Sequence, residues 1–205
     1  MEAMKTWARR MLVDPWQEAD FEADRQRSSA FDWRPAVILT TTAVVLAVME
    51  YFGNDSTFSH LIPYDPNLHD REQWDLWARV WWAGIRVLAY VVIPCATVLL
   101  MPRERLRDYY LSAQGLRGHL WIYAVLCVLV VPFIAFAASR PEFLATYPFY
   151  RYANQSLLHF IVWELLYALQ FIALEFFFRG YMLKGLSGRF GSGAIFVMLV
   201  PYCMI

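Results

Sequence analysis

The sequence predicts an all-α fold: a polytopic transmembrane helix bundle with four full spans and the start of a fifth. The first observation behind this is composition. Of 205 residues, 59% are hydrophobic and 18% aromatic, including 9 Trp, and the mean hydropathy is positive, well outside soluble-domain averages. The second is arrangement, because the apolar residues gather in runs close to the ~20 residues needed to cross a bilayer's hydrocarbon core. Lys and Arg total 18, as do Asp and Glu, so the net charge is zero. Nothing in that balance suggests a nucleic-acid partner, and the positions of the charges along the chain carry the information.

Residues 1–33 form a polar, charged N-terminal arm. It has no charged region running straight into a short apolar stretch, as a cleavable signal peptide would. Trp7, Met11 and Leu12 among Lys5, Arg9 and Arg10 allow a short surface helix, but the mixed charges from Asp14 to Arg27 favour a solvated arm. Residues 34–205 are the multi-pass membrane domain. Its first span is Pro35 to Phe52, with Pro35 tolerated at the helix start. A polar loop, Gly53 to Asp75, precedes the second span, Val80 to Met101, where Arg86 snorkels toward the headgroups. After Pro102, the basic stretch Arg103 to Gly118 leads to the third span, His119 to Ala138. Ser139 to Gln155 is an interfacial loop of Pro and aromatics. Leu157 to Phe178 is the fourth span, and Ala194 to Ile205 opens the fifth. That last segment is too short to cross a bilayer at about 1.5 Å per residue, so the sequence reads as the front part of a longer protein.

Arg103, Arg105, Arg107 and Arg117 follow the second span, and Arg179, Lys184 and Arg189 follow the fourth, whereas Asp55, Asp65, Asp70, Glu72 and Asp75 lie on the opposite side. Basic loops stay inside, which puts the N-terminus in the cytoplasm and the protein in the plasma (inner) membrane. Trp74, Trp77 and Trp81 recur at helical spacing before the second span, as an interfacial aromatic belt would. Cys95, Cys127 and Cys203 lie in separate apolar runs and read as small core residues. The four His show no zinc spacing, and no metal or cofactor is assigned.

The fourth span concentrates the polar groups. Glu175 and Arg179 stand one helical turn apart at its end, where intramembrane charges are costly and usually paired and functional. A structural Glu–Arg brace at spacing i, i+4 explains the pair equally well. Eleven residues separate Glu164 from Glu175, about 1100° of helical rotation, which returns both to one stripe, roughly 16 Å apart along the axis. Glu164 is thus an accessory candidate that lines the same cavity, pairs with Arg86 or sits protonated in the interior.

Ala173-Leu174-Glu175-Phe176-Phe177-Phe178-Arg179-Gly180-Tyr181-Met182-Leu183 resembles the first motif of the CPBP intramembrane endopeptidases, the Abi-like group of CAAX-prenyl proteases and bacteriocin-processing or immunity proteins. The family pattern is Glu-Glu-x-x-x-Arg. Its second Glu falls on Glu175 and its Arg on Arg179, while Leu174 stands where the first Glu, the usual water-activating base, belongs. A second family motif, Phe-x-x-x-His, is half represented by Tyr202-Cys203-Met204-Ile205, with a His expected next and another His and an Asn on later helices. The resemblance covers roughly Phe160 to Ile205.

The resemblance implies hydrolysis of a peptide bond in a membrane-associated or prenylated substrate, with the bilayer as the protein's other partner. Such chemistry needs a base to deprotonate water, an oxyanion donor and a cavity that admits water but not lipid. With Leu174 in place, Glu175 acts as base itself, Glu164 substitutes, or activity is lost. Two other classes stay open: a non-catalytic scaffold or immunity-type protein of the same fold, and a transporter in which Arg86, Glu164 and Glu175 are relay groups. Against the last, the chain shows no inverted repeat.

Overall fold

The computed structural model describes residues 2, 6–7, 9–10, 13–26, 32–102, 104–109 and 116–205. Lys5, Met11, Leu12, Arg27 and Arg103 lie outside them, while Trp7, Arg9 and Arg10 of the surface helix considered for the arm are helical and exposed. Among the described residues every regular element is helical. In chain order these are α1 (Asp14–Gln26), α2 (Trp33–Phe52), α3 (Asp55–Leu61), α4 (Arg71–Val87), α5 (Ile93–Leu100), α6 (Leu116–Ala138), α7 (Pro141–Thr146), α8 (Leu157–Glu175), α9 (Lys184–Phe190) and α10 (Ala194–Tyr202). Leu88–Val92 joins α4 to α5 and Phe176–Leu183 joins α8 to α9, both as wider-wound π-helix.

Among the described residues, three helical stretches are long and apolar enough to cross a membrane: Trp33–Phe52, Arg71–Leu100 and Leu157–Tyr202. Three of the four expected full spans are thus present among the described residues. The third expected span, His119–Ala138, coincides with α6, a 23-residue helix over Leu116–Ala138.

Several expected boundaries also move. α1 is a helix with Ala23 buried, so 14–26 is not a solvated arm. The apolar side of this charged segment has a surface to cover, since Trp16 meets Phe196 at 6.3 Å between ring centroids. Inside the expected Gly53–Asp75 loop α3 forms, and α4 begins at Arg71 rather than Val80. The expected loop after the fourth span is helical through Phe190. Its glycines permit close packing there: a Cβ on Gly185 would stand 2.1 Å from the Ile38 side chain. The chain turns at Gly191, where φ is 55°, and Tyr202 returns to Phe178 with ring centroids 5.0 Å apart.

The chain divides into two compact units, the first being Met1–Asn54, Gly84–Leu111 and Leu169–Ile205, the second Asp55–Ala83 and Ser112–Ala168. The first unit holds one continuous apolar core in which Ile38, Val45, Phe177, Phe178 and Tyr181 are fully buried. The second holds two aromatic clusters. In one, Phe58 packs on Trp74 at 5.4 Å, and the Trp74 indole N–H donates to the Ile62 carbonyl at 3.0 Å. Trp74 is therefore a core residue of that cluster rather than part of an exposed belt, while Trp77 is exposed. In the other, Tyr150 packs against Trp163 and Tyr152.

Candidate functional site

The site candidate in the first unit is the junction where α8 passes into the π segment. Glu175 is the last α-helical residue and Arg179 lies within the wider turn that follows. The pair expected from the i, i+4 spacing forms: Arg179 Nε stands 2.8 Å from Glu175 Oε2. Its setting differs from that of a buried charge, since the Arg179 side chain is 68% exposed and that of Glu175 43%. Both side chains stand on the surface of the unit rather than in its core.

Aromatic packing on the opposite side of the helix holds this junction. Phe177 and Phe178 meet Tyr90, of the other π segment, at 5.2 and 6.2 Å between ring centroids. π-bulges cost helical regularity and are frequent at functional sites, and here two face each other. Gly180 completes the fit. A Cβ there would approach the Tyr109 carbonyl oxygen to 2.9 Å and the Phe176 ring to 3.0 Å, so glycine alone lets the Tyr109 backbone come this close.

Tyr109 anchors the inner side. Its ring stacks on Tyr181 at 6.1 Å, and its hydroxyl donates to Glu104 at 2.9 Å. Glu104 is also ion-paired with Arg34 at the start of α2. Burial, then the adjoining Glu104, pushes the Tyr109 phenol well above its ordinary value, so it stays a neutral donor. Tyr181 is fully buried with its hydroxyl facing the side chains of Thr41 and Thr97, and among the described residues it closes no hydrogen bond of ordinary geometry.

Leu174, at the position where the resembling motif carries its first Glu, is half-buried and packs against the apolar core of the first unit. Glu164 belongs to the second unit, where its side chain is exposed. Arg86 donates to the Gly53 carbonyl oxygen at 3.3 Å, securing the end of α2. Among the described residues no three His, Cys, Asp or Glu side chains gather as a metal would require. The sequence reading missed Tyr90, Tyr109 and Tyr181. Only the invariably permissive Gly180, five residues past Glu175, hinted at a close backbone approach there.

No family model matches the chain, and neither a curated protein nor a solved structure matches it.

Proposed function

We propose that the chain is a multi-pass membrane protein of the intramembrane endopeptidase type, with its N-terminus in the cytoplasm and its place in the plasma membrane. Its substrate is a membrane-associated or prenylated peptide. The observation that carries this reading is the closed Glu175–Arg179 pair at the α-to-π junction. Arg179 orients the carboxylate, as a general base must be oriented before it takes a proton from water. Hydroxide oxygen then adds to the scissile carbonyl carbon, the Arg179 guanidinium is the nearest donor for the developing oxyanion, and the proton on Glu175 passes to the leaving amine.

A panel of membrane-anchored reporters, one prenylated at a CAAX terminus and one bearing a leader peptide, tests the proposal in reconstituted vesicles. Glu175→Gln abolishes cleavage while the protein still inserts and melts as before. Arg179→Ala lowers turnover with little change in stability, because the carboxylate it leaves is not buried. Glu164→Gln is milder than either. Undiminished turnover by Glu175→Gln removes the glutamate mechanism.

A second reading, a non-catalytic scaffold or immunity-type protein, is favoured by Leu174. A side chain that packs into the core where a base is expected makes Glu175 and Arg179 a brace. In that case no reporter is cleaved by the unaltered chain.

A further inference from the structure

The first unit contains a cavity that neither Glu175 nor Arg179 lines. It measures about 480 Å3 and is lined by Glu50, Asn54, Arg86 and Tyr90, with Leu46 and Met204 among its apolar walls. That volume lies within the ~300–1,000 Å3 typical of small-ligand sites. Its depth follows from α2, which runs from Trp33 to Phe52 over 20 residues. At about 1.5 Å per residue such a helix matches the ~30 Å hydrocarbon core, so its last residues, Glu50 onward, reach the headgroup level.

The chemistry of the lining is two-signed. Arg86 is held in place by the Gly53 carbonyl oxygen through Nη1, and a guanidinium has further N–H donors for an anion. Glu50 is exposed, and among the described residues no cation pairs with its carboxylate. An anion site, an ammonium site and an apolar wall, all at headgroup depth, match one class of molecule. We infer that this cavity binds an aminophospholipid, with the phosphate on Arg86, the primary ammonium on Glu50 and an acyl chain along Leu46 and Met204. The inference does not depend on the peptidase reading, since it uses neither Glu175 nor Arg179.

The ammonium contact makes the proposal selective. An ethanolamine headgroup carries N–H donors for Glu50, whereas the trimethylated choline headgroup carries none and the glycerol headgroup carries no cation. The test purifies the chain from nanodiscs of equimolar ethanolamine, choline and glycerol phospholipids and identifies the retained lipid by native mass spectrometry. The expected result is about tenfold enrichment of the ethanolamine lipid, the scale of one charge-assisted hydrogen bond. Glu50→Gln, at an exposed position and without effect on the melting temperature, removes the preference over choline. Arg86→Gln lowers retention of all three, and its fold is checked by circular dichroism. Equal retention of the three lipids, enrichment of the glycerol lipid, or an ethanolamine preference that survives Glu50→Gln overturns the proposal.

Discussion

In the unit that carries Glu175, the Tyr181 hydroxyl is fully buried and, among the described residues, closes no hydrogen bond of ordinary geometry. In the other unit, Tyr150 is equally buried, and its hydroxyl donates to the Glu72 carbonyl at 3.2 Å and meets His159 Nδ1 at 3.0 Å. A phenol has one proton, so both Tyr150 contacts hold together when His159 Nδ1 carries hydrogen and donates. The same residue type is thus used in two ways. The second unit satisfies the polar tips of its aromatic clusters, which makes those tips part of the scaffold. The first unit relies on shape, fitting fully buried rings between two π segments, and leaves one polar group unmet beside its functional candidate. Unsatisfied buried groups are uncommon and call for a reason. Asp55 Oδ1 and Arg79 Nε of the second unit are also buried without a partner among the described residues, so the units differ in how they use their tyrosine hydroxyls and not in how many polar atoms go unmet.

The largest effect expected from this comparison is Phe177→Ala. Phe177 is fully buried between Tyr90, Phe178 and Tyr181, and removal of such a ring costs about 3–5 kcal/mol through lost burial and the cavity left behind. Hydrogen exchange should show loss of protection in the amides of Phe176–Leu183, with those around Tyr150 little changed. Equal loss in both units would show that the two cores do not differ in the way described.

A sharper test makes one chemical change in each unit. Tyr150→Phe leaves the Glu72 carbonyl and His159 without their partner and costs about 1–3 kcal/mol, whereas Tyr181→Phe removes an unmet hydroxyl and is neutral or stabilising. Denaturant melts of the two variants should therefore move in different directions. Tyr150 adds a pH signature. Burial first, then the charges of Asp75 and Glu72, pushes its phenol up to about 12. The folded value is raised, so the stabilisation is complete below the ordinary phenol value of about 10 and is lost as pH rises through about 12. Tyr150→Phe flattens that loss, and an unaltered alkaline profile would contradict the assignment.

Much of the first unit's site was legible in sequence. The pairing of Glu175 with Arg179 follows from helical spacing, and the pair survives the wider winding because each side chain has freedom on an open face. What escaped was the winding itself. Phe176-Phe177-Phe178 is equally compatible with α and π turns, and only the rings of Tyr90 and Tyr109, distant in sequence, select the latter. The helical continuation through Phe190 was hidden because Arg179, Lys184 and Arg189 look like a loop when read by charge. The third expected run, His119–Ala138, was legible from its apolar letters and is one continuous helix, α6. In α1 the charges outnumber the few apolar contacts, so periodicity gave no sign that Ala23 and Trp16 find a surface.

The smallest effect concerns that docking. Asp20 of α1 accepts a hydrogen bond from the Ser192 backbone N–H at 2.8 Å, at the turn between α9 and α10. Gly191 is needed there twice over: its φ is 55°, and a Cβ would stand 2.4 Å from Asp20 Oδ1. The Ser192 backbone bond is the main reason the Asp20 carboxyl is held below its ordinary value. A lowered folded value means that the contact is fully present above the usual carboxylate range near about 4 and is lost as pH falls below it. The side chain is solvent-facing, so the expected result is a modest rise in protease cleavage within Asp14–Gln26 between pH 6 and pH 3, scaled to about the loss of one exposed hydrogen bond. Asp20→Ala shows the raised cleavage at both pH values. Asp20→Asn keeps an oxygen acceptor without a titrating proton, so its cleavage is low and flat across the range. An Asp20→Asn variant as pH-sensitive as the unaltered chain would mean that another group releases α1, and that the Asp20–Ser192 contact follows docking rather than holding it.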